Sequence, residues 1–157
     1  MRFAIKRQLI FVLLIFVSLA AAAEPPAGYP FLAFDEAMQQ AEQQGKPLFV
    51  YFGRYGCGYC DKTNAEAFSD ATVKQRFIDH DILAYVDSES GRRLRLPTGE
   101  RITERELGTR YDAFVTPVFS FINVNGDVLA RLVGVQRVVD FLDADKQVQD
   151  KLGGKGS

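Results

Sequence analysis

The chain has 157 residues, of which 47% are hydrophobic, 25% charged and 12% aromatic, enough for one globular domain with an adequate core and too few for a second. Its formal net charge is −1, and all three charges within residues 1–23 are basic: Arg2, Lys6 and Arg7. Without that segment the 19 basic residues fall to 16 against 20 acidic ones, a net of −4, which excludes the basic face that nucleic acid requires.

Residues 1–23 read as a secretory signal peptide: a basic start, an uncharged run over residues 9–23, and the small residues Ala21, Ala22 and Ala23 before Glu24. Cleavage is expected after Ala23. An uncleaved membrane anchor is the alternative, but the run has 15 residues against the ~20 that a spanning helix needs. Cysteine is absent beside the cleavage point, and residues 153–157 carry no retention tetrapeptide of the KDEL type. A bacterial periplasm is therefore expected over an endoplasmic reticulum.

Residues 24–30, with Pro25, Pro26, Gly28 and Pro30, read as an extended linker, so that the domain occupies residues 31–152 and residues 153–157 form a flexible tail. A first helix starts at Asp35, a candidate cap, carries Ala37, Met38 and Ala41 on one face, and stops at Gly45 and Pro47. Residues 48–52 form a short apolar run, as expected of a buried central strand. Gly53, Gly56 and Gly58 then make a turn around Cys57, and residues 60–68 have helical character. Val73, Phe77 and Ile78 suggest a further short helix, residues 82–86 a second strand ending at Asp87, and residues 88–101 a surface loop or hairpin.

Thr103 with Glu106 three residues on matches a capping box, opening a helix to about Tyr111. Residues 118–123 and 128–132 read as strands joined around Asn125 and Gly126, a hairpin signal. Val138, Val139, Phe141, Leu142 and Val148 predict a closing amphipathic helix. The element order implies an α/β fold, a mixed sheet covered by helices on both faces.

Only two cysteines are present, three positions apart, in Cys57-Gly58-Tyr59-Cys60. The first would lie at a helix N-terminus, where unpaired amides and the helix dipole favour negative charge and turn a thiol into a nucleophile. Attack on a disulfide leaves a mixed disulfide that a second, nearby thiol must resolve. Cys57 is thus the candidate attacking group, exposed and readily ionised, and Cys60 the resolving one. Gly58 would keep the approach open and Tyr59 would offer an aromatic rim to substrate. A stabilising staple is the first alternative, but a ring of four residues contributes only roughly 2 kcal/mol against ~3 for a longer loop of fifteen. Half of a zinc site is the second, but the chain has no other cysteine and a single histidine, His80, so that carboxylates would have to complete the set. His80 reads as a surface residue without a role. Pro117, ahead of a strand, reads on its own as an ordinary strand-start proline.

Taken together, a buried strand, Cys-Gly-Tyr-Cys at a helix start, and Thr116-Pro117 leading into a hairpin resemble the thioredoxin superfamily over residues 31–152. The resemblance implies the thioredoxin fold, with Pro117 cis and packed against the cysteine pair. It also implies that Thr116 pairs its backbone with substrate as an added strand, a mode that tolerates varied side chains. More narrowly, the chain is similar to exported thioredoxin-like proteins that include those of sulfur-oxidation gene clusters. Phe34-Asp35-Glu36-Ala37, Gly45-Lys46-Pro47, Phe68-Ser69-Asp70 and residues 103–111 carry that likeness.

Departures from cytosolic thioredoxin are visible. Gly56 stands where that family has a tryptophan, Tyr59 replaces the proline between the cysteines, Tyr51 stands for a buried aspartate and Leu83 for a lysine. Proton handling at Cys60 is therefore not explained by the resemblance.

The resulting expectation is a monomeric periplasmic thiol-disulfide oxidoreductase that exchanges disulfides with protein substrates, as a reductant recharged by a membrane electron donor. No cofactor and no metal is expected. An oxidase or isomerase of exported proteins would use the same sulfurs, since about 30 mV, worth 1.4 kcal/mol, can reverse net flow. A non-catalytic binding module on the same fold, such as a metallochaperone or assembly partner, is the reading from another class.

Overall fold

Leu48–Gly53 form β1, all six residues buried, because this strand lies in the middle of the sheet with a neighbour on each edge. Ile82–Asp87 (β2) runs parallel to it, Leu48 opposite Ile82 and Gly53 opposite Asp87. Two further strands of that sheet, Val118–Ile122 and Val128–Val133, become β5 and β6 once the short pair Arg93–Arg95 (β3) and Arg101–Thr103 (β4) is counted. The order is β2-β1-β5-β6, with β1 antiparallel to β5 and β5 antiparallel to β6. The computed structural model describes residues 24–153. The expected signal peptide, residues 1–23, and the tail beyond Gly153 lie outside the described residues.

Among the described residues five helices cover this sheet: Phe34–Gln44 (α1), Gly58–Glu66 (α2), Ala71–His80 (α3), Glu104–Arg110 (α4) and Val138–Gly153 (α5). Alternation along β1 sorts them onto two faces. Phe49 and Tyr51 point into a core with Phe68, Phe77, Phe119, Phe121 and Phe141, beneath α2, α3 and α5. Leu48, Val50 and Phe52 point the other way, to Phe34, Ala37 and Ala41 of α1, Leu107 of α4, and Leu94 and Ile102 of the β3–β4 pair. Helices on both faces of a mixed sheet are what the element order implied.

Aromatic rings fill the first face. Phe49 has ring centroids of Phe77 at 4.4 Å, Phe121 at 5.1 Å and both Phe119 and Phe141 at 5.9 Å. Packing begins ahead of Phe31: Tyr29 is buried, and its hydroxyl donates to the Phe68 carbonyl at 2.9 Å. Leu32 then bridges to the outer edge of β2 through Leu83 and Tyr85.

Local signals hold at most element ends. Asp70 caps α3 through the Thr72 and Val73 amides, and the Thr103–Glu106 capping box opens α4 in both directions. Asn123 shapes the β5–β6 turn by accepting from the Asn125 and Asp127 amides, and Gly126 adopts a positive φ of 87° there. Of the surface loop or hairpin expected over residues 88–101, the hairpin is what forms, as the antiparallel pair β3–β4. One expectation fails: α1 begins at Phe34 behind Ala33, with no side-chain cap. Asp35 instead accepts from the Arg95 amide at 3.1 Å, because the hairpin folds back across the start of α1. That partner lies 60 residues away in the chain.

Candidate redox site

At the C-terminal end of β1 the chain leaves the sheet through Gly53 and turns at Gly56, whose φ of 66° favours glycine. Cys57 follows as the N-cap of α2, and Cys57 and Cys60 are joined in a disulfide with their Cα atoms 5.2 Å apart. Cys57 Sγ accepts a hydrogen bond from the Cys60 amide at 3.1 Å. A side chain at this position satisfies one of the amides that a helix start leaves unpaired. Released as a thiolate, the same sulfur would receive that amide and the positive end of the helix.

Thr116 and Pro117 close the site from the other side. Their peptide bond is cis, as the resemblance implied, and the Thr116 hydroxyl donates to Cys57 Sγ at 3.3 Å. The resemblance implied only a backbone role for Thr116; the contact of its side chain spans 59 positions and leaves no local signal.

Cys57 was expected to be exposed, yet in this disulfide state it is 3% exposed and Cys60 5%. Both sulfur-bearing residues belong to the aromatic core face, and Thr116 lies against the first. What is open is the surface around them. Gly58 is exposed, with no atom within 4 Å of where a Cβ would stand, and Tyr59 is 68% exposed. Tyr55, Phe114 and Val115 are exposed as well, Phe114 at 72%. The last two immediately precede Thr116, so an apolar rim surrounds the disulfide. Phe114 and Val115 have no motif to mark them in the sequence, where they are two large apolar residues in a short segment between helix and strand.

Neither departure position supplies a charge beneath Cys60. The Tyr51 hydroxyl donates to Asn64 Oδ1 at 3.2 Å. Burial first, then the neighbouring Tyr85 and Asp61, push the Tyr51 phenol well above its ordinary value, so it stays protonated and is no base. Leu83 is part of the core. Thr63 is wholly buried and links the first turn of α2 to the segment that leads into α5, donating to the Tyr59 carbonyl at 3.1 Å and accepting from the Gln136 amide at 3.3 Å.

His80 is not a free surface residue. Its Nδ1 lies 2.8 Å from Asp145 Oδ1, and Arg76 Nε donates to the other oxygen of that fully buried carboxylate at 2.6 Å. It stands at the end of α3, before β2 begins, whereas the disulfide follows the opposite end of β1.

The model of the thioredoxin-like domain family matches residues 34–149, and the chain belongs to that family. A mixed sheet flanked by helices, with a Cys-Gly-Tyr-Cys disulfide at the start of α2, supports the general class of thiol-disulfide oxidoreductase. No curated protein matches the sequence. Among solved structures, a thioredoxin from Thermus thermophilus is 28% identical with a TM-score of 0.66, covering 82% of this chain and 93% of its own. A candidate disulphide-isomerase from Bacteroides thetaiotaomicron is 31% identical with a TM-score of 0.55, covering 86% and 99%. The oxidised C-terminal domain of DsbD from Neisseria meningitidis, 18% identical with a TM-score of 0.56 and covering 74% and 97%, shares the fold.

Proposed function

We propose that this protein is a periplasmic thiol-disulfide oxidoreductase that reduces disulfides of exported proteins and is recharged by a membrane electron donor. The observation that carries exchange is the Cys57–Cys60 bond at the N-cap of α2, with the Thr116 hydroxyl on the attacking sulfur. The exposed apolar rim of Tyr55, Tyr59, Phe114 and Val115 favours a protein over a small molecule as partner. The periplasm rests on the sequence of residues 1–23, and the direction of flow on the resemblance to exported thioredoxin-like reductants.

In the reduced protein, the Cys57 thiolate attacks one sulfur of the substrate disulfide. That bond breaks, the departing substrate thiolate takes a proton, and a mixed disulfide with Cys57 remains. Cys60 loses its proton to water, attacks Cys57 Sγ and releases the second substrate thiolate. Two electrons have passed to the substrate, and the disulfide of this structure is the product. Thr116 would offer its backbone to the substrate segment as to an added strand, with Pro117 holding the turn and Gly58 and Tyr59 forming the opposite lip.

Equilibration of the cysteine pair against a glutathione series, beside its oxidation state in cells, tests the reading. A potential well below that of glutathione with reduced thiols in cells is expected; a high potential with a persistent disulfide reverses the direction. Cys60→Ser should trap mixed disulfides with exported proteins, and an empty trap removes the protein substrate.

An isomerase or oxidase is the second reading, favoured by the 31% identity to the candidate disulphide-isomerase of Bacteroides thetaiotaomicron. Refolding of a scrambled disulfide protein separates the two, since an isomerase accelerates native pairing without net reduction. A pure binding module would keep its function with serine at both cysteines, which exchange cannot survive.

A further inference from the structure

A groove of about 580 Å³ opens beside the disulfide, between Arg105 and Thr109 of α4, Ser88 and Glu89 after β2, Arg54 after β1, and the wall from Ala113 to Thr116, with Tyr59 at its mouth. Its volume falls in the range of binding pockets, and its walls are tied. The Ser88 amide donates to the Gly53 carbonyl at 2.9 Å, the Glu89 amide to the Asp87 side chain at 2.9 Å, and the Arg105 amide to the Ser90 carbonyl at 3.1 Å.

Three charged side chains line it: Arg54, Arg105 and Glu89. Arg54 Nε is 3.8 Å from Glu89 Oε1, beyond hydrogen-bond distance, and its Nη1 donates loosely to the Tyr55 carbonyl at 3.4 Å. Arg105 Nη2 donates at 2.5 Å to the Glu89 backbone carbonyl, a neutral acceptor that positions the guanidinium without cancelling its charge. The groove thus carries one surplus positive charge, in a protein whose net charge is negative, and it opens at Thr116.

We propose that this groove is a specificity subsite for an acidic side chain, Asp or Glu, of the substrate polypeptide next to its reactive cysteine, with Arg54 and Arg105 as the residues that select it. The assignment rests on the exchange reading above. A substrate segment lying along Thr116 sends alternate side chains to one side, and on this side they meet two guanidinium groups, which pair with carboxylates in a planar, two-pronged geometry.

The test follows reduction of three peptide disulfides by the full, reduced chain. The peptides are identical except for Glu, Gln or Lys flanking the cysteine. The Glu peptide should react about fivefold faster than the Lys peptide at low salt, the size of one exposed ion pair, and the gap should close at high salt. Arg54→Gln with Arg105→Gln should bring the Glu-to-Lys ratio toward one or below it. Glu89→Gln should raise that ratio, an opposite shift that a folding defect does not produce. Equal rates for the three peptides, or a ratio indifferent to all these substitutions, overturn the subsite while exchange itself stands. Glutathione disulfide is the fourth substrate: loss of its reduction in the arginine variants, without discrimination among peptides, would replace the polypeptide by a small anionic disulfide. Failure to reduce any of the four overturns the exchange reading, and the subsite with it.

Discussion

The Thr116 hydroxyl donates to Cys57 Sγ at 3.3 Å, across the gap between the β5 lead-in and the start of α2. A hydrogen bond from a hydroxyl to sulfur strengthens when the sulfur is ionised, because the acceptor then carries a full charge. In the reduced protein Thr116→Val should slow alkylation of Cys57 about tenfold at fixed pH, the size expected of one bond to a charged group, and Thr116→Ser should restore it. Measured iodoacetamide rates that do not differ between wild type and Thr116→Val would show that the contact is incidental.

Phe49 holds the aromatic core together, facing Phe77, Phe119, Phe121 and Phe141 from the inner strand β1. Phe49→Ala should cost about 3–5 kcal/mol in a denaturant titration, the range for deleting a buried ring from a site that cannot collapse. A loss under about 1 kcal/mol would mean that neighbouring rings move in to fill the space.

Asp81 ends α3 with both carboxylate oxygens buried and unpartnered. Burial, and then the charge of Asp145, hold its carboxyl well above the usual carboxylate range, with Lys46 acting in the opposite sense. The folded form therefore binds this proton more tightly than the unfolded form. The site's contribution to stability is complete below the ordinary value, about pH 4, and is lost as pH rises through the raised folded value. Asp81→Asn removes that titration. Relative to wild type the variant should gain about 1–3 kcal/mol between acid and neutral pH, read from unfolding midpoints over a pH series. Parallel curves for the two proteins would sink the prediction.

Arg92 Nη2 lies 2.6 Å from Glu104 Oε1, and that glutamate side chain is only 4% exposed. Because Glu104 opens α4 beside the β3–β4 hairpin, removal of Arg92 leaves a buried charge without its partner. Arg92→Gln should destabilise by about 1.5–3 kcal/mol, and the pair Arg92→Met with Glu104→Leu should recover most of it. Thermal unfolding of the three proteins decides the matter; no difference between wild type and the single variant refutes it.

What the sequence determined by itself was everything written in short-range chemistry. The apolar run over residues 48–52 reads as an inner strand, Thr103 and Glu106 sit at the spacing of a reciprocal cap, and Cys57 and Cys60 stand one helical turn apart behind a glycine turn. Each depends on neighbours within a few positions, so composition and period carry the information. Tertiary structure decided what depends on pairs far apart in the chain. Asp35 left its expected capping role for the Arg95 amide, His80 was drawn to a buried carboxylate on α5, and Cys57 was covered by the Thr116 hydroxyl. The cationic groove likewise exists only because Arg54, Glu89 and Arg105, from three separate segments, converge on one side of Thr116. A carboxylate, an imidazole or a guanidinium has several equivalent partners on offer in an unfolded chain, and the packing of helices against the sheet selects among them.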